Sequence, residues 1–163
     1  MTHSDTANHT PGWQRRAILF IPSITDRAFA QHHPALLRAV RTRDKTRTPT
    51  DRDIAQADVL RLQKLTYEPD GAHWCDVAWN DGRTLFAALD LRWDEFELSW
   101  PRERSFGLLN TQGVRDLIGR LRERDIPPQA TDNAGRLLNN KRDALVTMLQ
   151  HALALGESVG VLQ

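Results

Sequence analysis

Apolar positions along the chain change their spacing several times, and each change marks a predicted element. Ile18, Leu19, Phe20 and Ile21 form an unbroken apolar run stopped by Pro22, the pattern of a short buried strand. Two short helical pieces follow, one opening near Thr25 and one beginning at Pro34. Proline suits a first helical turn because its missing N–H has no partner there anyway. Residues 41–52, RTRDKTRTPTDR, hold no large apolar side chain and predict a mobile basic loop. Thr50, three residues before Asp53, then signals the start of a helix with Ala55, Val59 and Leu62 on one face.

Between 73 and 100 the spacing turns to a period of two. Cys75, Val77 and Trp79 alternate with Trp74, Asp76 and Ala78, Leu85, Ala87, Leu89 and Leu91 line one face of a second strand, and Phe96, Leu98 and Trp100 one face of a third. Asn80-Asp81-Gly82 predicts a tight hairpin turn and Arg92-Trp93-Asp94 a second one, giving a three-stranded meander. Its polar face would carry Asp76, Asp90, Glu95 and Glu97. After the charged connector PRERSFGLLNTQG, Val114, Leu117, Ile118 and Leu121 return to helical spacing, and Pro127-Pro128 stops that helix. Leu137-Leu138 suggests a further turn. Leu145, Met148, Leu149 and Ala152 then line a last helix closed by Gly156. The fold class this predicts is α+β: a small antiparallel β-meander with helices on one face, plus a C-terminal helical hairpin. The expected parts are a disordered N-terminus at 1–12, an α+β domain at 13–105, a helical module at 106–156 and a tail at 157–163.

Composition narrows the class of protein. One cysteine in 163 residues supplies no disulfide framework and no multi-thiolate metal site. No apolar run reaches the roughly 20 residues needed to span a bilayer, and the polar N-terminus lacks the apolar centre of a secretion signal. A cytoplasmic protein without membrane contact is the resulting expectation. The net charge of +1 conceals segregation. Residues 1–70 hold 11 Lys/Arg against 8 Asp/Glu, residues 71–100 hold 2 against 6, and residues 101–163 hold 9 against 7. Basic flanks around an acidic middle would steer a polyanion toward the ends.

The C-terminal pattern carries the functional expectation. VRDLIGRLRERDIPP followed by KRDALVTML resembles the SAP motif, a helix-extended-helix DNA-binding module, over residues 112–153. Val114, Leu117, Leu121 and Ile126-Pro127 fall on the first helix and its exit, with Asp125 where glycine is usual. Lys141, Leu145 and Leu149 fall on the second helix, and Gly135 lies further from Lys141 than the motif has it. The resemblance implies double-stranded DNA as a partner. The residues argue the same way without it. Pro127 and Pro128 force an extended link, so packing of Leu117 and Leu121 on Leu145 and Leu149 would gather Arg120, Arg122 and Arg124 on one side. Lys141 and Arg142 would stand near a helix N-terminus whose free N–H groups favour phosphate. Arg41, Arg43, Lys45 and Arg47 of the basic loop would assist. Such contacts hold the backbone without reading bases.

Two rival readings accompany this one. Five tryptophans, Trp13, Trp74 and Trp93 among them as candidates for exposure, suit a protein-binding adaptor or inhibitor within a larger assembly. Asp70 and Asp90, brought together by the predicted hairpin, suit a metal-dependent nuclease of the PD-(D/E)xK type, with Arg92 where that chemistry wants a lysine. A meander used as a base-stacking platform is disfavoured, because its exposed face would be acidic. His73 and Cys75 share a strand face without a third ligand at usable spacing, and His32-His33 reads as a solvated junction. No catalytic group, metal, cofactor or small-molecule substrate is therefore assigned from the sequence.

Overall fold

A computed structural model describes residues 16–68, 70–80 and 82–163. The architecture is α+β. Strands β1 (Ile18–Phe20), β2 (Trp74–Asp76), β5 (Leu98–Ser99), β6 (Gly107–Leu109) and β7 (Val159–Leu162) form one sheet in the order β2-β1-β7-β6-β5. Every neighbouring pair in it is antiparallel. Strands β3 (Ala78–Asn80) and β4 (Arg83–Thr84) pair separately. The proposed disordered N-terminus and Trp13 lie outside the described residues.

Alternation across the sheet sets the core. Leu19, Cys75, Leu109, Val159 and Val161 all point to one face and are fully buried there. Helices α4 (Thr111–Glu123) and α5 (Asp132–Leu155) cover that face with Val114, Leu117, Leu121, Leu145 and Leu149. Each such side chain contributes about 1.5–3 kcal/mol by leaving water. The helical starts are local: Asn110 Oδ1 accepts from Gly113 N at 2.8 Å, and Thr131 Oγ1 accepts from Ala134 N at 3.1 Å. On the opposite face one row runs Trp74, Phe20, Gly160, Leu108, and the Phe20 ring meets Phe106 edge-on at 4.8 Å.

Helices α1 (Pro22–Lys45) and α2 (Pro49–Tyr67) are inserted between β1 and β2 as an antiparallel hairpin. Leu36, Ala39, Val59 and Leu62 give it a core of its own, separate from that of the sheet. Its base is tied to the body by Tyr67 against Trp74 at 5.4 Å, by Ser23 Oγ donating to Glu157, and by Arg104 with Asp26 at 3.4 Å. At 1.5 Å per residue α1 is about 36 Å long, so the connection to α2 stands far from the sheet.

Several expectations are corrected. The two pieces near Thr25 and Pro34 are one helix that runs through Pro34, because Leu36 and Ala39 beyond it need the partner face of α2. The basic stretch 41–52 is no loop: α1 continues to Lys45 and α2 begins at Pro49. The meander is not formed. Leu85–Ala88 is a short helix, α3, capped by Thr84 Oγ1 accepting from Ala87 N at 3.1 Å, and Trp93–Glu95 is a 3-10 turn. Leu85, Phe86, Leu89 and Leu91 are all buried there, and so short an apolar run does not distinguish strand from helix. Residues 157–163 are no tail, since β7 lies at the centre of the sheet between β1 and β6. Residues on both sides of position 105 therefore share one core.

Candidate nucleic-acid interface

The five C-terminal cations fall into three places. Arg120 and Arg124, on the last turn of α4 and its exit, reach Glu95 at 3.4 and 4.0 Å. Arg122 and Arg142 line a shared depression of about 350 Å³ together with Asp143 and Thr147. Lys141 is paired with Asp70, and its side chain is only 10% exposed. Helix α5 begins nine residues before Lys141, so neither Lys141 nor Arg142 stands at a helix N-terminus, contrary to expectation. The run Asp132–Asn140 is helical because Thr131 caps it and because Ala134 and Leu138 already face the core.

A denser cationic group lies at the far end of the α1–α2 hairpin. Arg38, Arg41, Arg43, Lys45, Arg47 and Arg52 surround the turn, against Asp44, Asp51 and Asp53. Arg43 is half-buried and engaged with Asp44 at 3.1 Å and Gln56 at 2.9 Å. Arg41 folds back to donate to the Leu37 carbonyl at 3.3 Å. Asp51 accepts from Thr48 Oγ1 at 2.6 Å, which ties one of the three acids to the turn. Among the described residues, no ion pair engages Arg38, Lys45, Arg47 or Arg52. Arg38 was not singled out in the sequence. It sits three residues before Arg41, inside an apolar helical pattern that hides its place on the same end.

Among the described residues Asp90 does not line the pocket that holds Asp70, the carboxylate expected to join it in a nuclease. Asp70 lies beside Asp76, whose N–H donates to Asp70 Oδ1 at 3.0 Å. Asp90 sits apart, in a left-handed turn (φ 52°) after α3, and Arg92 pairs with Asp94 at 2.7 Å. Among the described residues no group of three or more His, Cys, Asp and Glu side chains could hold a metal ion. Cys75 faces the core; burial first, and the charge of Asp70 second, push its thiol far above the usual range. His73 is buried with Nδ1 at 2.9 Å from the Glu68 carboxylate, while its Nε2 has no hydrogen-bond partner among the described residues.

Around Asp70 the fold builds a feature the sequence did not disclose. Arg16 donates to Asp76, Asp76 Oδ1 accepts from Ala78 N at 2.9 Å, and Lys141 donates to Asp70. These groups line an open pocket of about 760 Å³ together with Tyr67, Trp74 and Trp79. The hydrogen bond to Asp76 raises the Arg16 guanidinium above its ordinary value. The ion pairs join residues 60 and 71 positions apart, separations at which no sequence spacing signals a partner. Among the described residues no helix is long and apolar enough to cross a membrane. No protein family, curated protein or solved structure matches the chain.

Proposed function

We propose that this is a DNA-binding or nucleoprotein-accessory protein that grips duplex phosphates without reading sequence. The observation that carries the reading is the cationic tip of the α1–α2 hairpin, held away from the sheet by a helical core of its own. Arg38, Lys45, Arg47 and Arg52 are exposed there and free of ion pairs among the described residues. Long guanidinium and ammonium side chains on a rigid projection reach the phosphates across a groove and release counterions. Arg122 and Arg142 add a second, smaller contact on α4 and α5. Arg120, Arg124 and Lys141 serve the fold first, through Glu95 and Asp70.

Gel-shift titration of a duplex at several salt concentrations tests this. Replacing Arg38, Lys45, Arg47 and Arg52 together with alanine is expected to weaken binding and flatten the salt slope by about 0.9 per lost phosphate contact. An unchanged slope would remove the hairpin tip from the interface. A second reading, a protein-binding adaptor, is favoured by Leu37, Ile54 and Leu60, which are exposed along the same hairpin. A partner that survives nuclease treatment and is lost on Ile54→Lys would support it.

A further inference from the structure

The pocket at the base of the hairpin lies about a helix length from the tip and has a different chemistry. We propose that it binds a nucleoside monophosphate. Its volume of about 760 Å³ suits a small molecule. Tyr67 and Trp74 present rings 5.4 Å apart and inclined by 51°, and the indole of Trp79 lies under the Arg83 guanidinium at 5.1 Å. The Trp79 Nε1 is buried without a hydrogen-bond partner among the described residues. Flat apolar walls of this kind accept a planar ring by stacking.

The polar groups choose the ring. At Asp70 each oxygen accepts from one donor, Asp76 N at Oδ1 and Lys141 at Oδ2; at Asp76, Oδ1 accepts from Ala78 N alone while Oδ2 takes both Arg16 donors. An ionised oxygen has two acceptor positions, so both residues can still receive an N–H from a ligand. Ring N–H groups and exocyclic amines of nucleobases supply such donors. Arg16 pairs through Nε and one terminal nitrogen only, and its side chain is 70% exposed. It and Arg83, which lies over the ring of Trp79, keep donors for a phosphate. A simple organic cation fits less well, because Arg16 and Lys141 already balance the two acids. A bare phosphate leaves the aromatic walls unused. The pairing of Asp70 with Lys141 and of Asp76 with Arg16 also holds the acceptors in place before a ligand arrives, which lowers the ordering cost of binding.

Calorimetric titration of the full chain with AMP, UMP and ribose 5-phosphate tests the assignment, with the indole N–H resonances followed by NMR. Saturable binding of AMP is expected, with the Trp74 and Trp79 resonances shifting and that of Trp93 unmoved. UMP, which offers one ring N–H where AMP offers an amine with two, is expected to bind about tenfold more weakly, a difference equal to one hydrogen bond to a charged group. Ribose 5-phosphate should not bind. Trp74→Leu should weaken AMP about tenfold or more, and circular dichroism would show that variant folded. The alanine variant of the hairpin tip should bind AMP as the wild type does, so a failure of the DNA reading leaves this one standing. Tighter binding of a short single strand at the same resonances would uphold the pocket and identify its nucleotide as part of a nucleic acid. Absence of saturable AMP binding at millimolar concentration, equal heats from ribose 5-phosphate, or shifts confined to other tryptophans would overturn the proposal.

Discussion

At the scale of single residues, the structure separates charges that serve the fold from charges that no ion pair engages among the described residues. Lys141 and Arg142 are adjacent in sequence, yet one is nearly buried against Asp70 while the other lines an open depression with Arg122. The same scale governs Cys75. Its thiol is held protonated by burial and by Asp70, whereas the unfolded chain releases that proton at about pH 8.5. The unfolded state therefore gains stability as pH rises past that point while the folded state does not. Folding stability is whole below about pH 8.5 and falls above it, by up to about 1.4 kcal/mol per pH unit. Urea titrations from pH 7 to 10 should show this decline, and Cys75→Val should flatten it. Iodoacetamide should leave native Cys75 unmodified and label it once urea unfolds the chain.

At the scale of elements, close approach of backbones decides what is tolerated. Gly160 sits on β7 directly opposite Phe20, and a Cβ placed there would lie 2.5 Å from the ring. Phe20 is itself held between Trp74 and Phe106, so it has little room to withdraw. Gly160→Ala should cost about 1–3 kcal/mol by overpacking, read as a fall in thermal midpoint. The α1–α2 hairpin follows a different rule. With Leu36, Ala39, Val59 and Leu62 as its buried core, it keeps its shape mainly through the facing stripes of two helices. This explains how a segment with the composition of a loop is helical. Arg41, Arg43 and Lys45 lie on turns that Leu36 and Ala39 have already started, and Pro49 opens the return helix.

At the scale of the molecule, strands far apart in sequence meet at the middle of the sheet. β1 pairs with β2 on one side and with β7 on the other, so residues 18–20 and 159–162 together form its centre. Deletion of residues 157–163 would expose an edge of β1 and of β6 and remove Val159 and Val161 from the core. The truncated chain is expected to lose its cooperative unfolding transition, as followed by circular dichroism against urea. Retention of a native transition would mean that the helices alone carry the fold. The placement also separates the pocket from the cationic turn. The hairpin leaves from between β1 and β2, so its base stands beside the pocket while its cationic turn is carried outward.

Much of this was written locally in the chain. Val114, Leu117, Ile118 and Leu121 repeat at helical spacing, Gly156 takes the left-handed conformation that ends α5 (φ 69°), and the apolar run Ile18–Phe20, stopped soon after by Pro22, is a buried strand. Such signals act within about four residues, over which the backbone settles its own hydrogen bonds. The α+β class followed from them. The tertiary structure decided which strands are neighbours, that Leu85–Ala88 coils instead of extending, and which cations are held in ion pairs. Those outcomes depend on partners far along the chain: Val161 beside Leu19, Asp70 beside Lys141, Asp76 beside Arg16. A charge reads the same in sequence whether or not an opposite charge will reach it, because only the folded chain brings the two within a few ångströms.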